Sequence, residues 1–179
     1  MKAALRVVVL ADTHLRHATG SRRPPQWLPA PAESVLAGCD AVLHAGDVLD
    51  GPTLDRIADT AAAGGARPPV YAVLGNNDTD LTGTLPAVRH LDLGGVRIAM
   101  IHDSGPTTGR AGRLRRRFPH AQLVVFGHSH APVDDEGVDG QRLFNPGSPT
   151  QRRAQPGHTL GELHLDGGAI LSHRIIALD

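Results

Sequence analysis

A chain of 179 residues, 40% hydrophobic and 20% charged, has ordinary globular composition, which excludes a collagen-like fibre, a coiled coil and a disordered tail. Lys+Arg and Asp+Glu both number 18, so the formal net charge is zero, which argues against a strongly basic nucleic-acid binder and against an acidic tail. The single cysteine, Cys39, cannot form an internal disulfide, the first apolar run is broken at Asp12, and no stretch approaches the roughly 20 apolar residues of a membrane span, so a cytoplasmic location is expected rather than secretion or a membrane.

In chain order, Leu5–Leu10 is an apolar, β-branched run that predicts a buried strand. Residues 20–31 carry Pro24, Pro25, Pro29 and Pro31 and predict a long surface loop, with a weak helix pattern over 31–36. A short strand is expected over 41–43. Residues 52–63 place Leu54, Ile57, Ala58 and Ala61 on one helical face, with Pro52 early and Gly64-Gly65 as the stop. Strands are expected over 70–74, Val96–Ile101 and 123–126, with a second weak helix over 109–118. The last third reads as strands over 142–144, 159–165 and 169–176, joined by turns at Asp139-Gly140 and Asp166-Gly167-Gly168. The pattern is βαβ-like at the front and antiparallel at the back. It predicts one α/β domain over residues 1–179, with two facing sheets flanked by helices.

The polar residues fall in a pattern. Leu5–Leu10 is followed by Asp12 and His14, the strand at 41–43 by His44 and Asp47, and the strand at 70–74 by Asn76, Asn77 and Asp78. Val96–Ile101 is followed by His102, and residues 123–126 by His128 and His130. In α/β sheets the carboxyl ends of parallel strands converge on the binding crevice. Carboxylate, imidazole and amide oxygen together suit borderline-hard divalent ions such as manganese, iron or zinc. Asp12 and His14 are two residues apart, as are His128 and His130, and in extended backbone such pairs point to one side. Gly46, Gly75 and Gly127 precede Asp47, Asn76 and His128 and permit sharp exits or close backbone approach. Seven of these donors, Asp12, His14, Asp47, Asn76, His102, His128 and His130, are too many for one tetrahedral ion and suit two ions sharing a carboxylate, a cationic centre that favours an anionic substrate.

At these residues the sequence resembles the calcineurin-like metallophosphoesterases. The ordered blocks are Asp12-x-His14, Gly46-Asp47, Gly75-Asn76 followed by Asn77-Asp78, the lone His102, and Gly127-His128-x-His130. The length and the Asn145-Pro146-Gly147-Ser148 segment resemble the small, single-domain YfcE-like or MJ0936-like phosphodiesterase branch. The resemblance implies a four-layer αββα sandwich with two mixed sheets flanked by helices. It also implies a dinuclear site in which Asp12, His14, Asp47 and His130 hold one metal and Asp47, Asn76, His102 and His128 the other. Asp47 would bridge. The two divalent ions are expected to be manganese first, with iron, zinc or nickel as alternatives.

The expected reaction is hydrolysis of a small phosphodiester or nucleotide-like substrate by a metal-bridging hydroxide. Many relatives have His after Gly-Asn, and here that position is Asn77. Asn77 can orient a phosphoryl oxygen but cannot release a proton, so esters with weakly basic leaving groups should react best. Asp103, where Gly is common, is read as a turn residue. Arg110, Arg113, Arg115, Arg116 and Arg117 are read as a solvated helix face, with a phosphate-steering patch as the sharper alternative. His44 is either a support for the centre or a buried polar residue. His17 is a candidate for the rim, and Trp27 for a lid or an interface anchor. The competing function is a protein-binding scaffold on the same fold, the role the resemblance assigns to the retromer subunit. Seven filled donor positions favour the enzyme. Zero net charge and five aromatic residues argue against a nucleic-acid substrate.

Overall fold

The computed structural model of the chain describes residues 4–16 and 27–179. The first sheet runs β10 (Ala169–Ala177), β9 (Thr159–Asp166), β1 (Leu5–Leu10), β2 (Ala41–His44) and β3 (Val70–Ala72). The second runs β4 (Val88–Leu93), β5 (Val96–Ile101), β6 (Leu123–Val125), β8 (Arg142–Asn145) and β7 (Val133–Glu136). Within the first sheet β1, β2 and β3 are parallel, and β9 and β10 are antiparallel to their neighbours. In the second, β5, β6 and β8 are parallel, with β4 and β7 as antiparallel edges.

Side-chain alternation builds the layers. Val7 and Val9 of β1 face Val125 and Phe144 of the other sheet, inside the central core. Val8 and Leu10 point the other way, onto Ala32 and Leu36 of α1 (Ala30–Leu36) and Ile57 and Ala61 of α2 (Gly51–Ala62). On the far side, Val124 and Phe126 pack with Leu114 of α3 (Arg110–Arg117). Strands covered on both faces need apolar residues at every position, which is why their sequences run continuously rather than alternating. The result is the four-layer αββα sandwich expected from the sequence.

Helix ends follow local chemistry. The Asp50 side chain accepts from Thr53 N at 2.9 Å and caps α2, whose first turn contains Pro52. Ala63 closes it in the left-handed region, with φ 47°.

Several expectations need correction. Strands β4 and β7 were not anticipated. In β4 the apolar residues Val88, Leu91 and Leu93 are separated by Arg89, His90 and Asp92, and β7 is Val-Asp-Asp-Glu, so neither has a continuous apolar run. Both are edge strands that exist because a neighbour offers unpaired backbone groups. The last third is not wholly antiparallel, since β8 lies parallel to β6 and closes the second sheet. The strands expected over 70–74 and 123–126 end at Ala72 and Val125. The proline-rich loop gives way to α1 at Ala30, and His17 and residues 20–26 lie outside the described residues. Trp27 packs onto the α1–α2 core, with the Arg56 guanidinium 4.0 Å from its ring centroid.

Candidate metal centre

The carboxyl ends of β1, β2, β3, β5 and β6 bring the expected donors to one edge of the sandwich. Backbone hydrogen bonds fasten these exits to one another: Asp12 N to Gly46 O and His14 N to Asp47 O, both 2.9 Å, and Gly127 N to His102 O at 2.9 Å. Two glycines let the loops close up. A Cβ on Gly75 would lie 2.2 Å from Asp47 N and Oδ1, and one on Gly127 would lie 2.8 Å from Asp12 Oδ2. No larger residue fits either place without displacing a candidate ligand.

The donors converge in two overlapping groups. In the first, His14 Nε2 is 3.2 Å from His130 Nε2, and His130 Nε2 is 3.5 Å from Asp12 Oδ1. In the second, Asn76 Oδ1 lies 2.9 Å from both His102 Nε2 and His128 Nδ1. Asp47 stands between them, its Oδ2 3.7 Å from His14 Nε2 and 3.5 Å from His102 Nε2. Asp12, His14 and His130, and again Asp12, Asp47 and His102, offer donor atoms all within 4.8 Å of one another.

The convergence does not arise from extended backbone. Asp12, His14, His128 and His130 have φ of 53°, 46°, 69° and 58°, and Asp47 has 59°. Five non-glycine residues in the left-handed region are a strained arrangement that the surrounding fold must impose, and such strain collects at functional sites.

The tautomers are set from outside the cluster. His130 Nδ1 donates to Gln151 O at 2.5 Å and His102 Nδ1 donates to Ala45 O at 2.8 Å. In the neutral rings this leaves each Nε2 as a lone pair aimed into the cluster, the arrangement of metal-binding histidines. Lone pairs facing one another, and facing Asn76 Oδ1, need a proton or a cation between them. Two nitrogens holding one ion at about 2.0–2.1 Å lie roughly 3–3.4 Å apart, which matches the His14–His130 separation. Asp12 supplies a further sign: its Oδ2 is buried with no hydrogen-bond partner. The donor set fits a divalent ion.

Electrostatics separate the two carboxylates. Burial pushes Asp12 up to about 7, the nearby Asp47 charge adds to this, and His102 and the His128 N–H bond oppose it. Burial also raises Asp47, but the neighbouring His102 and the hydrogen bonds from the backbone and side chain of Asn77 outweigh it and hold that carboxyl well below the usual range. Burial lowers His14 and His130, keeping them neutral for ligation. Burial lowers His102 too, but the adjacent Asp47 carboxylate, the bond to Ala45 O and the negative charge of Asp12 bring it above the ordinary value.

Asn77 lies on Asp47 rather than free in the crevice: its N–H donates to Oδ1 at 2.8 Å and its Nδ2 to Oδ2 at 2.7 Å. Asp78, which was not singled out as a site residue, accepts from the N–H groups of Asp47, Leu49 and Gly75 at 2.9, 2.8 and 2.7 Å. One buried carboxylate thus ties the β2 exit to the β3 exit. Its only signal in the sequence is its place at the end of Gly75-Asn76-Asn77-Asp78. His44 is fully buried and meets Thr13 Oγ1 at 3.0 Å, so it supports the Asp12–His14 turn. Asp103 accepts from Gly105 N at 2.7 Å and is the expected turn residue. Arg113 binds Ser104 O and Pro106 O, and Arg115 pairs with Asp139, so these two hold local structure.

The chain is similar to known proteins in sequence and in fold. The calcineurin-like phosphoesterase superfamily domain matches residues 5–168. A probable metallophosphoesterase of Methanocaldococcus jannaschii is 32% identical over 149 residues, covering 81% of this chain and 68% of that protein. A Thermotoga maritima protein solved by NMR has a TM-score of 0.67 at 28% identity, covering 97% of this chain and 99% of that one. Vacuolar protein sorting 29 of Cryptosporidium parvum has a TM-score of 0.72 at 17% identity, covering 99% of this chain and 100% of that one, a likeness of fold. No helix among the described residues is long and apolar enough to cross a membrane. The matched span contains every donor of the converged cluster, and the chain belongs to the calcineurin-like phosphoesterase superfamily.

Proposed function

We propose that this chain is a phosphodiesterase that works with two divalent ions, acting in the cytoplasm on a small phosphodiester or nucleotide-like substrate. Asp12, His14, Asp47 and His130 hold one ion and Asp47, Asn76, His102 and His128 the other, with manganese the first candidate and iron, zinc or nickel the alternatives. The observation that carries this reading is the position of Asp47 Oδ2, within 3.7 Å of His14 Nε2 and 3.5 Å of His102 Nε2. That placement suits a carboxylate shared between two sites.

Bound divalent ions supply Lewis-acid stabilisation of phosphoryl oxygens and bring the pKa of water toward neutrality. The chain's own groups hold and orient that chemistry. Gln151 O and Ala45 O fix the imidazoles of His130 and His102, and Asn77 fixes both oxygens of Asp47. By releasing its side-chain bond to Asp47, the Asn77 amide gains a donor for a phosphoryl oxygen of the substrate. It has no proton to give the leaving group, so that oxygen departs as an anion or takes its proton from solvent.

A protein-binding role on the same fold is the second reading, favoured by the likeness to Vps29, one example of which, from Chaetomium thermophilum, was solved with a cyclic peptide. The complete donor set supports catalysis over that role. The test is hydrolysis of bis-p-nitrophenyl phosphate by manganese-loaded protein. Activity that disappears in Asp47→Ala is expected, and a folded, metal-loaded protein without activity would overturn the proposal.

A further inference from the structure

One loop of the second half is strapped across the donor-bearing turns. Ser148 Oγ donates to Asp12 O at 2.8 Å, and Thr150 Oγ1 donates to Thr13 O at 2.6 Å. Gln151 N returns to Ser148 Oγ at 2.9 Å, while Gln151 O receives His130 Nδ1. The strap therefore holds the backbone of the Asp12–His14 turn and, through Gln151 O, the Nδ1 edge of His130, whose Nε2 faces Asp12 and His14.

The strap ends at Arg153. This residue is exposed and held in the left-handed region, with φ 51°, uncommon for a side chain of its size. Its guanidinium makes one long contact, Nη1 to His128 O at 3.4 Å. Arg153 forms no ion pair among the described residues, and unlike the other arginines without one it contacts the backbone of a candidate ligand, His128. A guanidinium has five donors in a fork that matches phosphate. Among the described residues only one of them has a hydrogen-bond partner, the backbone oxygen of His128.

We infer that Arg153 binds a second phosphate on the substrate, one borne by the arm retained beyond the scissile phosphorus, and so sets a preference for esters that carry an additional phosphate group. The inference rests on the phosphoesterase reading. On that reading the scissile phosphoryl sits at the inner donors, and the exposed Arg153 guanidinium, next to the backbone oxygen of the candidate ligand His128, is offered to a neighbouring anion on the same molecule.

The test compares ligands that differ only in the second phosphate. Calorimetry on manganese-loaded protein measures Kd for thymidine 5′-monophosphate and thymidine 3′,5′-bisphosphate. Kinetics measure kcat/KM for the p-nitrophenyl ester of thymidine 5′-phosphate with and without a 3′-phosphate. Tighter binding of the bisphosphate is expected, and in Arg153→Gln that advantage should shrink roughly ten- to a hundredfold, the worth of a charge-assisted hydrogen bond. Arg153→Lys should recover part of it, since a lysine offers charge without the fork. The inference is overturned if the native protein binds the bisphosphate no better than the monophosphate, if it binds neither, or if Arg153→Gln leaves the ratio unchanged. Loss of the preference with hydrolysis of the plain diester intact removes this inference alone. A preference intact without hydrolysis removes the catalytic reading alone.

Discussion

Asn77 grips Asp47 by both carboxylate oxygens, its backbone N–H on Oδ1 and its side-chain amide on Oδ2. Asp47 Oδ2 stands 3.7 Å from His14 Nε2 and 3.5 Å from His102 Nε2, and under the proposed function it is shared between two ions, so Asn77 holds the group on which that reading depends. Because Asn77 holds no labile proton, a plot of log rate against leaving-group pKa for substituted aryl phosphodiesters should be steep. Asn77→His should flatten it by offering a general acid, a contribution typically worth about 10²–10⁴-fold. Asn77→Ala should lower kcat without removing metal. A flat plot for the native protein would show that another group supplies the proton.

Gly75→Ala places a methyl carbon 2.2 Å from Asp47 N and Oδ1. The backbone at Gly75 is not in the left-handed region, so the obstacle is contact alone. The expected outcome is displacement of Asp47 with loss of bound metal, measured by elemental analysis, and a lower Tm. The same substitution at Gly64, where nothing lies within 4 Å, should leave metal content unchanged.

Asp12 gives the centre a pH dependence. Its carboxyl is raised from 3.8 to about 7 in the metal-free fold. A raised acid contributes stability that is complete below the unfolded value and is lost as pH rises through the folded one. Metal-free protein should therefore become less stable between about pH 4 and pH 7, and a divalent ion should reverse the trend. Metal binding below about pH 7 must displace the Asp12 proton, so affinity should rise with pH and then level off. Calorimetry in buffers of different ionisation enthalpy counts that proton, and Asp12→Asn should abolish its release.

Asp78 tests the frame behind the ligands. Asp78→Ala leaves the N–H groups of Asp47, Leu49 and Gly75 without their acceptor. At about 1–3 kcal/mol for each buried donor left unmet, with partial relaxation, the loss should be roughly 3–5 kcal/mol in urea unfolding of metal-free protein. Asp78→Asn, which keeps one acceptor oxygen, should fall between.

Much of this protein was legible before any coordinate. Continuous apolar runs located β1, β2, β3, β5 and β6, and the polar residues just past them named the donors that meet at one edge. Burial on both faces forces such runs, and parallel strands send their carboxyl ends to the same side, so position along the chain already implied position in space. Tertiary structure alone decided the rest. Strands β4 and β7 carry no continuous apolar signal and were specified by the edges they pair with. The left-handed backbone of Asp12, His14, Asp47, His128 and His130 is unfavourable locally and is imposed by bonds from distant segments, among them Asp78 and the strap over 148–153. A residue sequence reports what each side chain can donate or accept. Which conformation its backbone is compelled to adopt depends on neighbours dozens of residues away, and those become neighbours only when the sandwich closes.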